Sequence, residues 1–285
     1  MLFKIAQVYA HLYILVKLIL KFNIPGLGWL LRRTDSDRWI KFLNVDLYYD
    51  HRIASCYGLY IINQLQEPET HWFLNKIFDR TGGKGGVFID VGANIGAFVL
   101  DVARRGDVQV FCFEPSALCI STIRKSAERN NMVNVNAYVN LCGDENKMIP
   151  FDEGENVDSA SVFESTNSNS MVQQVLIDDL DQLQAIPDCT PCVMLIDVEG
   201  YEPNVLRGAT SLIKRLEPII VFEYNYVSKR HFSVEDVMSI LGKDYDCFRL
   251  RNDFTLDNDL EDAWNCVAIP KAISTDVVSS LLSKR

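Results

Sequence analysis

The stretch Val87-Phe88-Ile89-Asp90-Val91-Gly92-Ala93-Asn94-Ile95-Gly96 decides the fold. An apolar run ends in Asp90, glycines follow, and a helical pattern begins directly after them. This is how a buried strand, a tight turn and a helix N-terminus are written in sequence. Glycine has no Cβ, so the turn is expected to bring backbone N–H groups close to a ligand at the helix start. A carboxylate at the strand end, Asp90, suits a polar or cationic ligand group. The spacing is D-x-G-x-x-x-G and lacks the first glycine of the G-x-G-x-x-G turn that cradles a dinucleotide pyrophosphate. A ligand without phosphates is expected.

Working outward, strands and helices alternate. Strands are predicted at 87–91, 108–113, 133–141, 192–198 and 219–224. Helices are predicted at 95–105, 116–130, 179–185, 202–216 and 234–241. Residues 108–113 are an almost unbroken apolar run, as in a parallel strand buried on both faces. Ser116 is placed to cap the helix that follows it. Residues 175–177 read as a short extended piece, and the Ser/Asn/Glu-rich segment 154–170 reads as a loop. Residues 245–250 and 266–269 are expected to close the sheet as an antiparallel pair. The pattern predicts an α/β fold, an open, doubly wound, mostly parallel sheet. The expected organisation is an apolar or amphipathic helix at 1–33, an aromatic-rich accessory region at 34–84 and the α/β domain at 85–285, with the glycine-rich run 81–86 as the junction.

Ligands of such sheets bind beyond the carboxyl ends of the strands, which selects the residues that matter. Strand one ends in Asp90, Gly92, Ala93, Asn94 and Gly96. Strand two ends in Glu114-Pro115, and a lone acid there hydrogen-bonds ribose hydroxyls in nucleotide-binding sheets. S-adenosylmethionine (SAM), with an adenosine, an amino acid and a sulfonium cation, meets these demands. Asp144 is assigned a position near the adenine. Strand four ends Ile196-Asp197-Val198-Glu199-Gly200-Tyr201-Glu202, three acids beside a glycine. Crowded like charges raise one another's pKa and invite a cation or a proton-transfer role. Glu202 has a competing role, since an acid at a helix start complements the helix dipole. Glu223 ends strand five and is expected to face Asp197 across the crevice. The pair can act as a general base for a hydroxyl or hold a divalent cation through oxygen ligands. Asp197, Glu223 and Glu199 are therefore the catalytic candidates.

Composition narrows the rest. The net charge is −10 over 285 residues, against the basic patches that bulk nucleic-acid binding needs. The eight cysteines show no secretory spacing and read as reduced thiols of a cytoplasmic protein. Cys189 and Cys192 form a C-x-x-C without a second pair, which reads as structural thiols. The four histidines form no H-x-x-H or His-Cys cluster, which argues against a transition-metal site. Residues 1–31 are rich in Leu, Ile, Val and Tyr but are interrupted by Lys4, Lys17 and Lys21. A bilayer span needs about 20 apolar residues in a row, and no small-residue cleavage site marks a signal peptide. Two readings of this segment stand: an amphipathic helix packed on the domain or in a dimer, and a helix lying in a membrane interface.

These residues, in this order, resemble the FkbM family of SAM-dependent methyltransferases. The matching pieces are residues 88–96, Phe113-Glu114-Pro115, 176–180, the run 196–202 with Val205, Leu206 and Gly208, and Pro218 leading to Glu223. They span about residues 87–225. The resemblance implies a class I methyltransferase fold, SAM as methyl donor and transfer to a hydroxyl oxygen, with sugars and natural products as known acceptors. Two positions depart from the family: Leu195 stands where members carry Lys, and Asn225 where many carry His. Both bear on the acceptor and on activity. A non-catalytic SAM- or nucleoside-binding module is the main alternative, and a nicotinamide-dependent oxidoreductase a lesser one. The expected partner is a small-molecule or glycan acceptor, not a nucleic acid; peripheral membrane association through residues 1–31 stays open.

Overall fold

The computed structural model describes residues 37–53, 56, 65–151, 171–188 and 190–282. The N-terminal segment, the loop expected at 154–170 and Cys189 lie outside them. An antiparallel hairpin comes first, β1 (Arg38–Phe42) and β2 (Val45–Tyr49). Helix α1 (Pro68–Asp79) follows, then β3 (Gly86–Val91), α2 (Ala97–Ala103), β4 (Val108–Phe113), α3 (Ala117–Arg129) and β5 (Val135–Tyr138). Three short strands make a separate small sheet: β6 (Leu141–Cys142), β7 (Lys147–Pro150) and β8 (Met171–Val175). Then come α4 (Asp181–Gln184), β9 (Cys192–Ile196), α5 (Glu202–Arg207), α6 (Thr210–Leu216), β10 (Ile219–Glu223) and α7 (Val234–Leu241). Strands β11 (Tyr245–Leu250), β12 (Leu256–Asp257) and β13 (Asn265–Pro270), with α8 (Lys271–Leu282), close the chain.

The main sheet has eight strands in the order β12-β11-β13-β10-β9-β3-β4-β5. Strands β10, β9, β3, β4 and β5 run parallel, and β13 lies antiparallel between β10 and β11. From β3 the chain winds outward to β4 and β5, then crosses to β9 on the other flank. The ends of β3 and β9 therefore form the topological switch point, where such sheets hold ligands. Every residue of β3 and of β9 is buried, as the apolar runs predicted.

Strand periodicity sorts side chains onto the two faces. Val87, Ile89, Val91, Met194, Ile196, Ile220 and Phe222 pack in one apolar core with residues of α5, α6 and α7. Phe88, Val193, Leu195, Val221, Val267 and Ile269 pack in the other, under α1, α2 and α3. One step along each strand from the second set, in the same alternation, lie Asp90, Asp197, Glu223 and Asn265. Four polar side chains thus belong to one face of one sheet end. Val91 is paired with Ile196, Ile196 with Phe222, and Glu223 with Asn265, so Asp197 and Glu223 come next to one another.

The structure departs from expectation at several elements. The helix expected over 202–216 is two helices, broken at Gly208-Ala209. A Cβ on Gly208 would lie 1.8 Å from the carbonyl oxygen of Gly143, so the chain turns where the small sheet's loop presses on it. The strand expected over 133–141 divides into β5 and β6, which belong to different sheets. The extended piece expected at 175–177 lies earlier: residues 171–175 form the central strand β8, and 177–179 are a 3-10 turn. Helix α8 is not among the expected elements. Ser116 caps α3 by accepting the Cys119 N–H at 3.3 Å, as predicted. Seven of the eight cysteines are described, and all seven are free thiols.

Candidate active site

The glycine turn is held by its own amides. The N–H groups of Gly92 and Ala93 both donate to the carbonyl of Phe113, at 2.9 and 3.1 Å. The N–H of Asn94 donates to Glu114 Oε2 at 2.9 Å, and that of Gly96 to the carbonyl of Ala93. Gly92 has φ +88°, and a Cβ there would lie 1.8 Å from the carbonyl oxygen of Asp197. The missing side chain therefore admits the end of β9, and the turn presents its amides to β4. This corrects the expectation that glycine serves to aim N–H groups at a ligand.

Glu114 is buried at the end of β4. Besides Asn94, it accepts the Ser116 N–H on Oε1 at 2.9 Å. Its first task is to tie the strand end to the turn. Asp90 is 1% exposed, and its Oδ2 has no hydrogen-bond partner. Burial, then the charges of Glu114 and Glu67, push its carboxyl up to about 8.

A cleft of about 80 Å³ opens beside the turn, with Glu67, His71, Asp90, Gly92, Asn94 and Asp197 among its lining residues. Glu67 and His71 are the residues that sequence reasoning missed. They stand at the start of α1, before the glycine junction, and no motif surrounds them. Glu67 is held in place by Asn265 Nδ2 at 2.6 Å and Thr70 Oγ1 at 3.2 Å, and burial raises its carboxyl. His71 Nδ1 lies 2.7 Å from Asp101 Oδ2. Burial alone would raise Asp101, but hydrogen bonds from His71 and Arg104 outweigh it and hold the group low.

Behind the cleft the strand-end acids converge. Asp197, Glu199 and Glu223 each place a carboxylate oxygen within 4.8 Å of the others. Burial drives Asp197 well above the ordinary carboxylate range, and the neighbouring Glu223 charge adds to it. Glu223 is also raised by burial, against a hydrogen bond with Asp197 that pulls it down. Glu199 and Gly200 take left-handed conformations, φ +53° and +101°, which swing the chain from β9 into α5. Glu202 caps that turn: its Oε1 accepts the N–H groups of Val198 and Gly200. Burial pushes it up to about 7. Asp144 is placed elsewhere. Its carboxylate accepts from Asn204 at 3.0 Å and Arg207 at 3.3 Å, both on α5, and it does not line the cleft.

A second cavity, about 450 Å³, lies at the opposite end of the sheet against Phe78, Pro191, Ile219 and Val277. It faces the amino ends of the strands, where α/β sheets do not place their ligands.

The order of these pieces along the chain is decisive. Residues 90–249, more than half of the 285, match the family model of the methyltransferase FkbM domain. The chain belongs to the FkbM methyltransferase family. A solved FkbM methyltransferase from Methylobacillus flagellatus KT is 18% identical, with a TM-score of 0.45, over 65% of this chain and 43% of its own. The present chain thus spans less than half of that protein. T. thermophilus RsmC, a 16S rRNA N2 G1207 methyltransferase solved with AdoMet and guanosine, is 12% identical at a TM-score of 0.43, over 82% and 49% of the two chains. M. jannaschii TYW2 with AdoMet is 10% identical at 0.40, over 82% and 84%. No curated protein matches this FkbM member in sequence.

The two departures from the family have structural explanations. Leu195 is buried among the apolar residues of its face. Asn225 is buried, and its Oδ1 accepts the N–H groups of Val227 at 2.7 Å and Ser228 at 3.1 Å. It starts the short 3-10 turn Ser228–Arg230 and also hydrogen-bonds Glu223. Among the described residues, no helix is long and apolar enough to cross a membrane.

Proposed function

We propose that this FkbM methyltransferase transfers the methyl group of SAM to a hydroxyl oxygen of a sugar, glycan or related small molecule. One observation carries the reading. Asp197 and Glu223, at the ends of adjacent parallel strands, converge directly beside the glycine turn. Donor-side and acceptor-side residues thus share one sheet end.

The residues around the cleft suit SAM by charge, and the cleft of about 80 Å³ has to open to admit a ligand of that size. Buried acids line the cleft, and Asp90 Oδ2 has no partner, which suits a ligand carrying positive charge. Glu114 stands at the end of β4, where a lone acid meets ribose hydroxyls in nucleotide-binding sheets. The turn residues Gly92, Ala93, Asn94 and Gly96 shape the floor. Asp144, held on α5 by Asn204 and Arg207, lies outside the cleft. SAM supplies an electrophilic methyl on a sulfonium. The acceptor oxygen's lone pair makes the new C–O bond, the S–C pair stays on sulfur as a neutral thioether, and the oxygen's proton passes to the Asp197–Glu223 carboxylates. Alignment of acceptor and donor is worth about 7–11 kcal/mol in favourable cases, and the carboxylates ease proton departure from a group too weakly acidic to ionise alone.

The test is Asp197→Asn. S-adenosylhomocysteine should bind as in the wild type by calorimetry, while transfer of labelled methyl to a panel of sugars and glycans is lost. Wild-type turnover in the variant removes Asp197 from the chemistry. Binding without transfer by the wild type to any acceptor returns the chain to a non-catalytic SAM-binding module.

A further inference from the structure

The geometry points to a divalent-cation site formed by Asp197, Glu199 and Glu223. Three carboxylates end two neighbouring strands and the turn between β9 and α5. Their oxygens lie within 4.8 Å of one another, the spread that ligands around one hard cation span at 2.0–2.6 Å each. Acidic residues gather on many protein surfaces, and proximity alone would mean little. Here a second observation bears on the cluster. Glu223 is only 6% exposed, and its Oε2 has no hydrogen-bond partner. A carboxylate oxygen taken out of water without a donor is costly, and a cation is the group that would satisfy it.

The other acidic cluster among the described residues makes the contrast. Asp37, Asp50 and His51 also lie within 4.8 Å. There Asp50 is held bidentate by Arg52, at 2.9 and 2.6 Å. Asp37 accepts from Tyr48 at 2.7 Å and contacts His51 Nδ1 at the same distance. That cluster is already neutralised by protein groups.

The donor set is all oxygen, with neither histidine nor cysteine in it. That selects a hard ion of the Mg²⁺, Mn²⁺ or Ca²⁺ class over zinc or copper. Three protein oxygens leave coordination positions open for water or for acceptor oxygens. A pair of vicinal hydroxyls, as on a sugar, would occupy two of them. The role of the ion in gripping the acceptor rests on the transferase reading; its binding does not. The acceptor's proton passes to an oxygen of Asp197 or Glu223 that the ion does not hold.

Mn²⁺ is the probe, added to the full chain without SAM or acceptor and followed by loss of the free-ion EPR signal. About one equivalent should be retained. Glu223→Gln and Glu199→Gln, both neutral isosteres, should each weaken binding by roughly 10–100-fold, as loss of a ligand or its support does at metal sites. Asp37→Asn should leave it unchanged. Circular dichroism on each variant reports the fold, and Glu199→Gln, at the more open position, keeps the test informative if Glu223→Gln does not fold. No retained Mn²⁺, equal retention in both glutamine variants, or loss in Asp37→Asn overturns the inference. S-adenosylhomocysteine calorimetry on the same samples separates the two readings. Donor binding without Mn²⁺ binding removes the ion and keeps the transferase. Mn²⁺ binding through these acids without donor binding does the reverse.

Discussion

Replacing Asp90 by Asn should abolish a large pH dependence of stability. The side chain is 1% exposed, and one oxygen lacks any partner. Burial and the nearby acids move its pKa from 3.8 to about 8. Between those values the folded chain holds the proton and the unfolded chain does not. Stability therefore falls as pH rises through that window and levels off above it. The span is roughly four pH units, and each is worth about 1.4 kcal/mol, so ionisation costs the fold on the order of 5 kcal/mol. Asn is neutral throughout and pays none of this. Urea unfolding of both proteins at intervals from pH 5 to pH 9 gives the difference directly. The variant's advantage should grow by about 1.4 kcal/mol per pH unit up to about 8 and then stay constant. SAM, bringing positive charge to the cleft, should shrink that advantage at pH 9. Parallel stability curves, with a gap that does not change with pH, would show that Asp90 is ionised in the folded protein and refute the reasoning.

Gly92→Ala forces a methyl to within 1.8 Å of the Asp197 carbonyl oxygen, where real contacts stay beyond 3.0 Å. Parting the ends of β3 and β9, at a left-handed φ, should cost roughly 2–5 kcal/mol. Calorimetry should show the melting temperature lowered by roughly 2–4 °C for each kcal/mol, and an unchanged melt would contradict the close approach. Asn225→His restores the residue that many family members carry. It gives up hydrogen bonds to the backbone of half-buried Val227 and buried Ser228 and should lose about 1–3 kcal/mol with no gain in methyl transfer; a faster enzyme would show that Asn225 is a catalytic loss.

Much of this was readable because strands announce themselves locally. The bounds of β4 and α7 matched expectation because one is an apolar run broken only at Gln109 and the other opens on a capping box, Ser233 with Asp236. The meeting of Asp197 and Glu223 followed from placing both at strand ends. What escaped depends on distant partners. The break between α5 and α6 comes from Gly143 pressing on Gly208. Glu67 enters the site through Asn265, 198 residues away in sequence, and nothing near Glu67 advertises it. The amides of the glycine turn were misread for the same reason, since their acceptors, Phe113 and Glu114, lie one strand over.

Those spent amides set what the crevice rejects. A di- or triphosphate needs N–H groups or cations to hold its charge, and the amides of Gly92, Ala93, Asn94 and Gly96 have none to give it. A phosphorylated cofactor would thus lack, at this turn, the backbone anchor that its kind uses elsewhere, before any side chain has to recognise a base or a sugar.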